Sequence, residues 1–155
     1  MNPGDQVSDF ELPDETGTPR KLSDLLRRGP VVLFFYPIAS SGGCTQEACH
    51  FRDLAAEFAA VGAQPVGISS DDVTKQNTFA TSHSLGYPLL SDEGNAIAKE
   101  LGAWRWWLPG GLHTRRVTFV IGPDRTIIDS VADEKQMELH ADQALEILKR
   151  HRAAA

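Results

Sequence analysis

Six consecutive apolar residues, Val31-Val32-Leu33-Phe34-Phe35-Tyr36, leave this chain few ways to fold. The run is rich in β-branched and aromatic types and does not alternate with polar residues. It reads as a strand buried on both faces. Pro37 ends it, because proline cannot donate to a ladder. After a short loop of small residues, Ala48, Phe51, Ala55 and Phe58 recur at helical spacing, with Glu47, Arg52, Asp53 and Glu57 between them. Cys44 therefore stands where a central strand gives way to the first turn of a helix.

That position has chemical consequences. The first turn of a helix carries free N–H groups and the positive end of the helix dipole. Both favour an anion, and the thiolate is the reactive form of cysteine. A buried cysteine that merely packs as a small hydrophobe is the competing reading. The chain has one other cysteine, Cys49. A zinc site takes about four ligands, and only His50 lies nearby. A Cys-x-x-Cys redox pair is excluded by spacing. On an unbroken helix, residues five apart have Cα atoms roughly 8–9 Å apart, whereas a disulfide needs them within about 7 Å. If Cys44 and Cys49 bond, the turn between them must open.

With these residues in view, the segment resembles a known family. Pro37 followed by Ser41-x-x-Cys44 is similar to the peroxiredoxin signature Pro-x-x-x-Thr/Ser-x-x-Cys. Cys44-Thr-x-Glu47-Ala-Cys49-x-Phe51-Arg52-Asp53 resembles the Q-type branch, the bacterioferritin-comigratory proteins. Further echoes lie at residues 65–69, 88–92 and 116–121, so the resemblance runs from Gly4-Asp5 to the last helix. It implies an atypical two-cysteine peroxiredoxin, in which Cys49 resolves what Cys44 forms.

Size and charge agree with an enzyme of that kind. The chain has 155 residues, 41% of them hydrophobic, enough for one α/β domain over residues 1–155 with its own core. A net charge of −6 argues against a nucleic-acid partner. No apolar run reaches membrane-spanning length. Residues 1–5 show no basic-then-apolar leader, so the expected location is cytoplasmic.

Along the chain, residues 10–12 and 18–22 flank a turn and predict an antiparallel hairpin. A short capped helix is expected at 23–29. The nucleophile helix is expected to run to about Val61-Gly62. A strand follows at 64–69, then a helix to about Ser84 capped by Asp71 or Asp72. A short strand is expected at 87–90 and a helix at 93–101, closed by Gly102. The β-α-β-α alternation implies parallel strands. Residues 116–121 and 126–131 form a second hairpin. A last amphipathic helix places Ala141, Ala144, Leu145 and Leu148 on one face, with 153–155 frayed. This order is thioredoxin-like; the peroxiredoxin resemblance adds the N-terminal hairpin. Trp104, Trp106 and Trp107 form a cluster read as folding over the core, walling the active site or making a dimer contact.

The resemblance also assigns roles. Cys44 is the nucleophile. Arg116, before a strand, is the nearby cation; by alternation Arg115 faces the other way. Without the family match Arg116 would be an ordinary solvated charge. Ser41, where the family usually has threonine, can donate to a peroxide oxygen. Pro37 shields the thiolate. Glu47 either pairs with the arginine or is a first-turn acid favoured by the dipole. His50 reads as a helix residue beside Cys49. Gly42, where the family commonly has proline, predicts a looser loop.

The reaction implied is reduction of hydrogen peroxide or an alkyl hydroperoxide to leave Cys44 sulfenic acid. Cys49 then closes an intramolecular disulfide, and a thioredoxin-like dithiol restores both thiols. No metal, haem or flavin is implied, and the branch suggests a monomer or weak homodimer. The alternative is a peroxide-sensing switch controlling a protein partner. A general disulfide oxidoreductase is disfavoured by the absence of Cys-x-x-Cys.

Overall fold

The structure, a computed structural model, describes residues 1–105 and 114–154. β3 (Val31–Phe35) lies at the centre of a five-stranded sheet, and every one of its residues is buried. Its odd-numbered side chains enter one core with Val66, Ile68, Val117 and Phe119. Its even-numbered side chains enter a second core with Cys44, Phe51, Phe58, Leu89 and Leu148. This is why the run carries no polar alternation: both faces of a central strand are covered.

The sheet order is β5-β4-β3-β6-β7. β4 (Gln64–Ser69) pairs parallel with β3 and with β5 (Leu89–Ser91). β6 (Val117–Ile121) and β7 (Ile127–Ala132) are antiparallel, with β6 against β3. The N-terminal hairpin is a separate pair, β1 (Glu11–Pro13) and β2 (Pro19–Lys21), followed by α1 (Leu22–Leu26). The tight turn between its strands is built on buried Asp14, which accepts from Thr16 N–H at 2.8 Å and Arg20 Nε at 2.7 Å. Gly67 on β4 permits close packing: a Cβ there would lie 2.6 Å from Leu89 Cδ2 and 3.1 Å from Phe34 Cζ. The architecture is the expected thioredoxin-like one.

Several boundaries differ from the sequence reading. The nucleophile helix is two helices, α2 (Gly42–Asp53) and α3 (Ala55–Ala60), broken at Leu54, whose ψ is 14°. Apolar periodicity continues across the break, and no proline or glycine marks it. α4 (Val73–His83) is capped by Asp72, which accepts from Lys75 N–H at 2.8 Å; Asp71 has another task. β5 starts at Leu89, because Pro88 has no N–H and contributes only its carbonyl, to Gly67 N–H at 3.0 Å. α5 (Ala96–Leu101) begins later than expected. The N-cap residue, Asn95, makes no side-chain capping bond; instead the Asp92 carboxylate accepts from Ile97 and Ala98 N–H in the first turn. Gly102 closes this helix with a φ of 82°. α6 (Leu139–Ala154) continues into the expected frayed end as far as Ala154, and Ala141, Ala144, Leu145 and Leu148 are buried as expected.

Trp104 bridges Thr114, and Lys99 Nζ lies 4.7 Å from the centre of its ring. Trp106 and Trp107 lie outside the described residues. No described helix is long and apolar enough to cross a membrane.

Candidate active site

Cys44 is the third residue of α2, and Ser41 is the residue that caps it. Ser41 has extended backbone (φ −71°, ψ 159°), and its Oγ accepts from Cys44 N–H at 3.3 Å. Because Ser41 Oγ is the acceptor in that bond, its own hydrogen is free to point elsewhere. Gly42 and Gly43 open the helix, so their N–H groups fall among those a helix leaves without an intrahelical acceptor. The two glycines are thus helical residues, which corrects the expectation of a loose loop around Gly42. Gly43 also answers a steric need: a Cβ there would sit 3.3 Å from Met137 Sδ and 3.4 Å from Arg116 Nη2.

The cation arrives from the neighbouring strand at the same end of the sheet. Arg116 immediately precedes β6, is 6% exposed, and places Nη2 3.4 Å from Cys44 Sγ. Its Nη1 donates to Glu47 Oε1 at 2.7 Å, and its backbone N–H donates to Glu134 Oε1 at 3.2 Å. Glu47, one helical turn after Cys44, is fully buried. Arg115 faces outward and donates to the Gly102 carbonyl, as strand alternation requires. Burial works against the Arg116 charge, but Glu47 and Cys44 beside it more than offset this, and its pKa lies above the ordinary value. Burial pushes the Glu47 carboxyl up to about 8, overcoming the opposing pull of Arg116.

The loop from Pro37 to Ser41 is held from below. Ser40 has a φ of 66°, unusual for a non-glycine residue. Asp71 Oδ2 accepts from Ala39 N–H at 2.7 Å and from Ser69 Oγ at 2.6 Å. Gln76 Nε2 donates to Ser69 Oγ at 2.9 Å, and Tyr36 Oη donates to Gln76 Oε1. Burial raises the Tyr36 pKa well above its ordinary value. Pro37 is half-buried and lines a surface depression with Ile38, Asp71 and Lys75. Of the sequence candidates, Cys44 is hydrogen-bonded to both Ser41 and Arg116; Pro37 lies in the loop that leads to them.

Cys49 is half-buried on the same helix and packs at the edge of the second core. Both cysteines are free thiols, with an intact helix between them. Tyr87 Oη donates to the Ala48 carbonyl at 2.6 Å, and Arg52 Nη1 donates to the His83 carbonyl at 2.7 Å, tying α2 to its neighbours. His50 is a surface residue of α2 whose Nε2 lies 2.7 Å from Asp142 Oδ1. Among the described residues no group of three or more His, Cys, Asp or Glu side chains is placed to hold a metal ion.

Sequence reasoning missed the groups behind Glu47 and under the loop. His140, Thr118, Glu134, Asp71 and Gln76 come from distant parts of the chain. Their only sequence signal is a polar residue on an otherwise apolar face, as at Thr118 within β6 and His140 beside Ala141.

Comparison with known proteins gives this geometry a context. Residues 3–130 match the AhpC/TSA family. Peroxidoxin BcpB from Mycobacterium tuberculosis, known from its crystal structure, is 55% identical, with a TM-score of 0.92 over 97% of each chain. The chloroplastic peroxiredoxin Q of Arabidopsis thaliana is 38% identical over 152 residues, covering 96% of this chain and 68% of that protein. The bacterioferritin comigratory protein of Xanthomonas campestris is 28% identical, with a TM-score of 0.82 over 92% of this chain and 91% of that one. Its trapped-intermediate and ligand-complex structures concern its alkyl peroxide reduction activity.

Proposed function

We infer the reaction of this site from its kinship: the chain belongs to the AhpC/TSA family, as a peroxiredoxin of the Q type, and is a peroxidase. Cys44 is the attacking residue. Its thiolate attacks one peroxide oxygen in line, the O–O bond breaks, and water or an alcohol leaves once the departing oxygen takes a proton. Cys44 is then a sulfenic acid. The Cys49 thiolate attacks that sulfur, forming an intramolecular disulfide and releasing water. A thioredoxin-like dithiol protein reduces the disulfide by exchange.

The observation that carries this reading is the bond between Arg116 Nη2 and Cys44 Sγ. A permanent cation at 3.4 Å from the sulfur favours the thiolate, and it also faces the place where charge develops on the peroxide. The Ser41 hydroxyl supplies a second donor aimed at the same region. Pro37 shapes the loop that screens the sulfur from water. The substrates are hydrogen peroxide and organic hydroperoxides.

Peroxide consumption with thioredoxin and its reductase supplied tests the scheme. Wild type should turn over with both hydrogen peroxide and a bulky hydroperoxide. Cys44→Ser should be inactive. Cys49→Ser should consume about one equivalent and stop with a dithiol protein as sole reductant. Sulfenic acid detected first on Cys49 by mass spectrometry would reverse the assignment.

A further inference from the structure

A second set of buried polar groups lies directly behind Arg116. Glu47 Oε1 accepts from Arg116, but Glu47 Oε2 is buried with no hydrogen-bond donor among the described residues. The atom it faces is His140 Nδ1, 3.5 Å away. His140 is fully buried at the start of α6. Its Nε2 lies 2.8 Å from the Asp133 carbonyl, which only accepts, so Nε2 carries a hydrogen. Its Nδ1 lies 2.8 Å from Thr118 Oγ1, which can donate to it. In the neutral ring Nδ1 is then an unprotonated acceptor whose lone pair the Thr118 hydroxyl fills, so it offers Glu47 Oε2 no hydrogen.

A carboxylate at that place would face an unprotonated ring nitrogen in a site closed to water, and would leave Oε2 without a donor. A neutral carboxylic acid removes the buried negative charge for which the site supplies no donor at Oε2. The alternative, a protonated imidazole, is opposed by burial first and also by the Arg116 charge.

We propose that His140 holds Glu47 as a neutral acid in the resting enzyme, so that the whole charge of Arg116 is available to Cys44 and to the peroxide. His140 is a positioning residue acting through Glu47. The inference rests on Cys44 and Arg116 having the roles given above. Other ionisable groups act on the pair. Arg116 at the start of β6 favours ionisation of Glu47, while Glu134 opposes it. Asp133 and Glu134, before α6, act on His140 in favour of its proton. Cys44 on the same helix and Tyr87 across the core add further negative or neutral groups. Burial sets the balance, with Glu47 releasing its proton near pH 8. Above that, Arg116 is shared between two anions and attack slows.

Two measurements on the full chain decide this. Single-turnover oxidation of the reduced protein by hydrogen peroxide is followed from pH 6 to 9.5 in wild type and Glu47→Gln, which fixes the neutral state. The ratio of the variant's rate to that of wild type should be flat below pH 7. It should rise roughly three- to tenfold across pH 8, the size of a charge coupling of one-half to one pH unit. Separately, 15N-histidine NMR of reduced wild type at pH 7 should show His140 neutral with its hydrogen on Nε2. This second measurement needs no variant to fold. A ratio that stays flat through pH 9.5, or an imidazolium signal for His140 at pH 7, overturns the proposal. Either result with Cys44 and Arg116 still essential leaves the peroxidase assignment standing, whereas turnover by Cys44→Ser would remove the assignment itself.

Discussion

A single side chain, Arg116, converts a capped cysteine into a candidate nucleophile. Removing its charge takes away the one cation in contact with Cys44 Sγ among the described residues and leaves Glu47 buried without its donor. Arg116→Ala should slow alkylation of Cys44 by iodoacetamide, and peroxide reduction, by orders of magnitude at neutral pH. Arg115→Ala, which loses only a surface bond to the Gly102 carbonyl, should match wild type in the same assay. Equal behaviour of the two variants would refute the role given to Arg116. Cys44 was legible in the sequence from its place where a strand gives way to a helix; Ser41 and Arg116 were singled out by the peroxiredoxin resemblance, and strand alternation only separated Arg116 from Arg115. His140 and Asp71 were not legible. Their partners, Thr118, Glu47 and Ala39, are brought to them only when helices and sheet pack, and no local rule predicts that.

At the scale of the element, α2 carries both cysteines, and its geometry forbids the bond that the proposed cycle requires. With the helix intact, Cα separation of roughly 8–9 Å exceeds disulfide reach. Oxidation should therefore unwind residues 43–50 and release the Tyr87 bond to the Ala48 carbonyl. Hydrogen exchange of the reduced and disulfide forms measures this. Faster exchange is expected at residues 44–53 and their packing neighbours, with β6 and β7 unchanged. Unaltered protection at 44–53 would rule out this route to the disulfide. The break at Leu54 helps confine the change, because α3 is already a separate segment. Strand positions and the starts of α2 and α4 were largely readable from apolar runs and caps. The late starts of β5 and α5 were not, since they depend on Pro88 lacking a donor and on Asp92 reaching two N–H groups.

Stability of the whole molecule should carry the signature of Glu47. Its carboxyl, ordinarily near 4.5, titrates at about 8 in the folded chain. Between these values the folded state keeps a proton that the unfolded chain has released. The contribution is therefore fully present below about pH 4.5 and is lost as pH rises through about 8, with a limiting slope of about 1.4 kcal/mol per pH unit. His140 has a lowered pKa, which gives the opposite slope below its ordinary 6.5, so the Glu47 effect is cleanest above that. Asp14 is lowered despite burial, by Thr16 and Arg20, and matters only in acid. Urea midpoints of the reduced protein should fall from pH 6.5 to 8.5, and Glu47→Gln should flatten that fall. A wild-type midpoint that rises over this range would contradict the buried acid.

The sheet divides the apolar interior into two compartments, and the reactive cysteine belongs to only one of them. Heat capacity is the quantity that should register this partition. Unfolding raises heat capacity in proportion to newly wetted apolar surface. If the proposed disulfide opens α2, part of the surface around Ala48 and Phe51 is wet before unfolding begins. Calorimetry should then give a smaller heat-capacity increment for the oxidised protein than for the reduced one. The compartment of Leu33, Phe35 and Phe119 lies on the other face and should melt as a cooperative unit in both forms. On this view the sheet works as a bulkhead: each catalytic cycle floods one side, and the dry side keeps the register to which α2 returns.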